Sequence, residues 1–485
     1  MYGPRCCVIA DDLTGANATG VLLRNEGLRT CTVLSLDSGT DDSIRDFEAL
    51  TVPTDSRALT AGEAYQIVRN TVAKFDPHAV ELFNKRIDST LRGNIGREID
   101  AVLDVLTPPR TAIVVPVFPK AGRICIGDYL LVNGILLEHT DAARDPKMPV
   151  RSSRPTEIVA SQTDRRVGHV GLDTVTRGTS AIAAALREAS ADGCRMIVVD
   201  SLTDADLRAV AYGAIESGLR FITADPGPFT AAVMNALLAR DTERAEKGSP
   251  HSRDTSRARV LMCVGSVTSM TADQLRHTFD SLDVAYAFLK AEELLGAASD
   301  GSAGREDSED RTAATARQHK EAEATSGDPD TRAEREITRV ANGLARLADR
   351  HTVLCVSTNR LDLSQTIDLE AEARNREISA ETLSDRINRA VAAVGERILD
   401  EVPSIGGIFS SGGDITVALC RAGGADGISL HHEVLPLAAT GRLRGGRHHG
   451  TYIVSKGGMV GERDATTRCV NSLLEAVAED EEDQG

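Results

Sequence analysis

The sequence predicts an α/β fold of two domains, each a mainly parallel sheet flanked by helices. Three observations lead there. The chain has 485 residues, more than a single hydrophobic core usually serves. Short apolar runs that end in polar residues or glycine alternate with helical patterns, as parallel sheets require. A charged, polar break near 239–259 then interrupts this texture, and the alternation starts afresh beyond it.

The first domain is expected over 1–240. Its strands are read at Cys6–Ala10, 31–36, Ala49–Pro53, 80–83, 111–117, 195–200 and 221–224. Helices are read at 16–25, 95–106 and 204–217. A linker, rich in charge and serine with Gly248 and Pro250, is expected over 241–258. The second domain, 259–478, has strands at 260–264, 284–289, 352–356, 407–409 and 451–454, with helices from about 271 and over 381–399. Residues 296–334 hold almost nothing to bury and are expected to be a disordered insertion. An acidic, solvated tail is expected over 479–485.

Composition excludes several functions. The apolar fraction of 41% is ordinary for a globular chain, and no later apolar stretch is long enough to span a bilayer. The formal charge is −17, and there is no tryptophan, so nucleic acid finds neither attraction nor stacking platforms. Nine cysteines without a C-x-x-C pair give neither a zinc ribbon nor a redox motif. A start that runs directly into a strand leaves no room for a signal peptide, so a cytoplasmic location is expected. His431-His432 and His448-His449 place neighbours on opposite strand faces, so no resident metal is expected and the segment reads as a polar surface hairpin.

Polar residues crowd the carboxyl ends of the first strands, where open parallel sheets hold their ligands. Asp11, Asp12 and Thr14 follow one strand. Thr54, Asp55, Ser56 and Arg57 follow another. Asn84, Lys85, Arg86, Asp88, Ser89, Thr90, Arg92 and Gly93 follow a third. Any one cluster alone reads as turn and cap chemistry. Three on one edge point to a ligand with a carboxylate for the cations and hydroxyls for the acids. The second domain carries glycine turns instead. Gly265-Ser266-Val267-Thr268-Ser269, Ser410-Ser411-Gly412-Gly413-Asp414 and Ser455-Lys456-Gly457-Gly458 each follow a strand. Such turns can cradle phosphate oxygens with backbone amides. Neither G-x-x-x-x-G-K-[ST] nor G-x-G-x-x-G occurs.

These motifs together resemble the four-carbon acid sugar kinases. Asp11-Asp12-Leu13-Thr14-Gly15, Thr54-Asp55-Ser56-Arg57 and the run from Lys85 to Asn94 look like the family's N-terminal signatures. Gly122-Arg123, Val132-Asn133-Gly134 and Ala143-Arg144-Asp145-Pro146 continue the match in order. The family's Thr-Gly-Gly-Asp-Thr turn reads Ser411-Gly412-Gly413-Asp414-Ile415 here. The resemblance implies phosphorylation of an acid such as threonate, erythronate or a 3-oxo-tetronate by ATP, in the cleft between the domains. It implies Asp11, Asp12, Arg57, Lys85, Asp88 and Arg92 at the acid, and Ser266, Gly412, Gly413, Asp414 and Gly457 at the nucleotide. Ser89 and Gly93 join the first set by position, and Ser269 and Gly458 the second. Mg²⁺ is expected to arrive with ATP. Asp12 is the preferred base, with Asp11 and Asp88 as alternatives, while Asp414 is either a nucleotide contact or only a helix cap. A sugar-acid sensor and an oxidoreductase or aldolase on the same two-domain frame remain the alternative functions. A homodimer is left open.

Overall fold

The computed structural model describes residues 3–34, 36, 44–145, 148–239, 258–265, 268–295, 329–358, 361, 369–458 and 460–483. Two compact units result. One comprises Met1–Ser252 with Gly424–Val460, the other Arg253–Gly423 with Gly461–Gly485.

The first unit begins with β1 (Cys6–Ala10), an unbroken apolar run that is buried throughout. A strand of that kind needs helices on both faces, which is the habit of a parallel sheet. Around it lie β2 (Thr30–Val33), β3 (Ala49–Pro53), β4 (Leu82–Arg86) and β5 (Thr111–Val114). A small antiparallel sheet follows, made of β6 (Arg123–Ile126), β7 (Tyr129–Val132) and β8 (Ile135–Leu136). β9 (Val167–Val170), β10 (Met196–Val199) and β11 (Phe221–Asp225) complete the large sheet, whose order here is β2-β3-β1-β4-β11-β5-β10-β9. All of these pairings are parallel.

Side-chain alternation divides the interior into two cores. Cys7 and Ile9 face Val68, Val72, Ile99 and Val102, from helices Ala61–Val72 and Ile95–Val105. Cys6 and Val8 face the other way, into a core with Ile182, Leu186, Val210, Phe229 and Val233. Those come from helices Thr179–Ala191, Asp204–Glu216 and Pro228–Leu238. The small sheet is anchored at the carboxyl end of β10. Asp200 there accepts hydrogen bonds from the backbone N–H of Gly127 (2.6 Å) and Asp128 (3.2 Å), and Cys125 bridges to Ser201.

The second unit holds β12 (Arg259–Val264), β13 (Val284–Phe288), β14 (Val353–Ser357) and β15 (Ile405–Ser411), parallel in the order β13-β14-β12-β15. Helices Ser269–Ser281, Pro329–Ala345, Ala380–Glu401, Gly413–Gly423 and Ala465–Asp483 accompany them. Residues 241–257 of the expected linker and 296–328 of the expected insertion lie outside the described residues. The insertion's expected end is corrected, because 329–334 already belong to helix Pro329–Ala345. Residues 479–483 of the expected tail continue helix Ala465–Asp483. No described helix is long and apolar enough to cross a membrane.

The chain then returns to the first unit. β16 (Gly427–Leu435) and β17 (Ala438–Arg444) form an antiparallel hairpin as expected, but not a surface one, since Ala438–Gly441 are buried and β18 (Tyr452–Lys456) pairs antiparallel with β17. β16 runs antiparallel to β2, with Gly427 opposite Val33. Sequence order places these three strands with the second domain, whereas their packing counts them in the first unit.

Candidate active site

Register brings the first polar clusters together. Ala10 of β1 is level with Pro53 of β3 and with Arg86 of β4. The residues just beyond those strands therefore meet at one edge. Asp11 is buried and uses both carboxylate oxygens: Oδ2 accepts from Arg57 Nε (2.7 Å) and Oδ1 from Arg86 Nη1 (2.9 Å). Asp12 caps helix Leu13–Asn25, its Oδ1 accepting from Gly15 N–H at 2.7 Å. Arg86 Nη1 reaches the same oxygen at 3.3 Å. Arg57 Nη2 stands 2.7 Å from Asp12 Oδ2, but without hydrogen-bonding geometry. A Cβ on residue 15 would lie 2.1 Å from Arg86 Cζ, so only glycine lets the guanidinium lie against the start of the helix.

The loop after β4 supplies the rest. Asp88 receives a fork from Arg92, Nε to Oδ2 at 2.7 Å and Nη2 to Oδ1 at 3.1 Å. Thr90 Oγ1 donates to Asp88 Oδ2 as well. Arg92 Nη1 continues to Asp145 Oδ2 at 2.9 Å. Asn94 precedes helix Ile95–Val105 but does not cap it. Its amide donates instead to the carbonyl of Leu59, which ties down the loop carrying Arg57. Ser89 is buried in the same loop, and Gly93 lies under the stem of Arg57.

Electrostatics separate the three carboxylates. Burial works to raise the Asp11 pKa, yet Arg57, then Arg86 and Lys85, bring it down to about 2. Burial opposes ionisation of Asp88 too, and Arg57 and Arg92 hold it well below the usual carboxylate range. Groups so firmly ionised bind well and accept protons poorly. Asp12 is the open one, with 26% of its side chain exposed against 4% for Asp11 and 6% for Asp88.

Lys85, expected beside the ligand, points inward. Its Nζ donates to the carbonyls of Arg86 (2.7 Å) and Ile9 (3.3 Å) and pairs with Glu98 Oε2 at 2.7 Å. Three partners occupy its three protons. Arg86, Asp145 and Glu98 are the members that sequence reasoning did not assign to the site.

The glycine turns fall in both units. In the second, Ser266 lies outside the described residues. Thr268 caps helix Ser269–Ser281, which leaves Ser269 exposed at its first position. Gly412 has φ +111°, a conformation suited to glycine, and Gly413 opens helix Gly413–Gly423, with Asp414 exposed in its first turn. Ser411 Oγ is buried with no hydrogen-bond partner among the described residues. In the first unit, Lys456 Nζ donates to Gly457 O (2.8 Å) and Val460 O (3.3 Å), shaping the turn that contains Gly457 and Gly458. This turn lies beside Thr14: a Cβ on residue 457 would meet Thr14 Cγ2 at 3.5 Å. Among the described residues, no group of three or more His, Cys, Asp or Glu is arranged to hold a metal ion.

Residues 6–233 match the sugar-binding N-terminal domain model, and 311–466 the nucleotide-binding C-terminal domain model. The chain is 40% identical over 472 residues to a D-erythronate kinase of Heliobacterium modesticaldum, covering 97% of each. It is 31% identical over 457 residues to a D-threonate kinase of Salmonella typhimurium, covering 94% of this chain and 95% of the relative. A solved structure from Salmonella typhimurium LT2 shares the fold, with a TM-score of 0.72 at 18% identity over 96% of this chain and 99% of that one. A two-domain α/β chain with these matches is a kinase. It belongs to the four-carbon acid sugar kinase family.

Proposed function

We propose that the chain transfers the γ-phosphoryl group of ATP to a hydroxyl of a four-carbon sugar acid, with D-erythronate as the favoured acceptor. The observation that carries this reading is the paired cluster of Asp11, Asp12 and Asp88 with Arg57, Arg86 and Arg92 at the carboxyl ends of β1, β3 and β4. A small polyol acid offers one negative group and several hydroxyls, and this edge offers cations and fixed acceptors in return. The 40% identity to a D-erythronate kinase favours that acid over its relatives.

In this reading Asp11 and Asp88 accept hydrogen bonds from hydroxyls of the bound acid and fix its orientation. Asp12 orients the attacking hydroxyl and receives its proton as the new O–P bond forms and the bond from the γ-phosphorus to the bridging oxygen breaks, releasing ADP. The amides of Gly412 and Gly413, with the unpartnered Ser411 hydroxyl, suit phosphate oxygens. Mg²⁺ arriving with the nucleotide would supply positive charge to its phosphate oxygens.

The test is ADP release with a panel of four-carbon acids and matched neutral polyols. The expected result is the highest kcat/KM with D-erythronate. Release with no acid, or a preference for the neutral polyols, overturns the reading.

A further inference from the structure

Arg123 opens β6, and its backbone is held firmly. Its N–H donates to Phe118 O at 3.0 Å, and its carbonyl accepts from Phe118 N–H at 2.9 Å. Behind it, Asn133 N–H closes on Gly122 O at 2.7 Å. The guanidinium so placed belongs to the electrostatic neighbourhood of the cluster. Burial and, more weakly, Arg92 lower its pKa, and Asp88 raises it.

It differs from the other arginines there in one respect. Arg57 pairs with Asp11 and Asp12, Arg86 with the same two, and Arg92 with Asp88 and Asp145. Among the described residues Arg123 has no carboxylate at ion-pair distance. Its Nη1 donates to the carbonyl of Ala121, while its Nε, like Arg57 Nη2 and Arg86 Nε, is buried with no hydrogen-bond partner; the missing carboxylate is what sets Arg123 apart. A buried charged donor left unmet is costly, and such groups in native proteins mark a missing partner. The protein's own carboxylates neutralise the other three guanidiniums, so an incoming anion gains most at the one that they leave unmatched.

We propose that Arg123 is the residue that selects for the acid, its guanidinium pairing with the substrate carboxylate, while Asp11 and Asp88 are left to the hydroxyls. The inference rests on the sugar-acid reading of this cluster and names the group that enforces it.

The experiment compares D-erythronate with its neutral amide, D-erythronamide, in the full-length wild type, Arg123→Gln and Arg123→Lys. Turnover with ATP and calorimetric binding are both measured. Wild type should prefer the acid over the amide at least about tenfold. Arg123→Gln should raise KM for the acid about 10- to 100-fold, leave KM for ATP within about twofold, and erase the preference over the amide. Arg123→Lys, which keeps the charge without the planar fork, should restore part of the preference. An equal loss for acid and amide, or an unchanged preference in Arg123→Gln, overturns the proposal while the kinase reading stands. A wild type without preference overturns it even where the variants fail to fold. A wild type that neither binds nor phosphorylates the acid removes both.

Discussion

Replacing Glu98 by alanine should destabilise the first unit more than replacing its partner, Lys85, by methionine. The pair is sealed, with side-chain exposures of 0% for Lys85 and 2% for Glu98 and a separation of 2.7 Å. At an effective dielectric near ~20, charges at that distance attract by roughly 6 kcal/mol, against several kcal/mol of desolvation for each ion. Removing one partner strands the other, at a cost of about 3–5 kcal/mol. The two halves are not equivalent, however. A stranded Lys85 keeps only the carbonyls of Ile9 and Arg86, whereas a stranded Glu98, whose pKa burial already pushes up, can take a proton. The expected loss is therefore about 3–5 kcal/mol for Glu98→Ala and about 1–3 kcal/mol for Lys85→Met. Urea unfolding, with hydrogen exchange read at β1 and β4, measures both. Where Lys85→Met is folded, its KM for the sugar acid should stay within about threefold of wild type, since no proton on Nζ is left for a ligand. A Lys85→Met protein of normal stability with a hundredfold higher KM would refute this reasoning and return Lys85 to the substrate.

Three further outcomes are expected. Asp12→Asn keeps an oxygen for the Gly15 N–H cap but loses the proton acceptor, so kcat should fall about 10²- to 10⁴-fold while KM for ATP stays within a few-fold; a normal rate removes Asp12 from the mechanism. Gly412→Ala forces a Cβ onto φ +111°, a strain of about 1–3 kcal/mol, and should raise KM for ATP about tenfold with KM for the acid unchanged; equal changes in both would place the turn outside the nucleotide site. Asp11 is held at about 2 and Asp88 well below the usual range, so on acidification the unfolded chain takes up these protons first. The stability they contribute, on the order of 2 kcal/mol for Asp11, is full above about pH 5 and is lost as the pH falls through about 4 toward about 2. Melting curves from pH 5 to pH 3 should show the decline, and Asp11→Asn should flatten it; identical slopes contradict the pairing.

The strand ends were legible in the sequence because parallel strands point their carboxyl ends one way. Once Cys6–Ala10 and Ala49–Pro53 read as strands, Asp11 and Arg57 had to share an edge. The side on which a given residue emerges was not legible. Lys85 and Arg86 are consecutive cations, equivalent as text, and strand alternation sends one to Glu98 and the other to Asp11. Arg123 stood within a visible motif, but nothing local shows that its Nε is buried without a partner. Helix Ala61–Val72 was missed although Thr60 and Glu63 spell a capping box, whose two reciprocal hydrogen bonds the structure contains.

The three late strands pose a different difficulty, since local pattern can show a hairpin but not the sheet edge it joins. That choice rests on a buried polar chain. Asn17 donates from Nδ2 to Ser455 Oγ and accepts at Oδ1 from Thr32 Oγ1, both at 2.7 Å, and Thr32 Oγ1 meets Thr51 Oγ1 at 2.8 Å. One asparagine thus links β18 to β2 and β3 through the helix that Asp12 caps. A buried amide with both ends satisfied discriminates strongly against other registers, because a shift of one residue would leave several polar groups unmet. The same link holds the Lys456–Gly458 turn beside Thr14, so a segment more than four hundred residues downstream is brought to the first strand's edge by sheet extension rather than by sequence proximity.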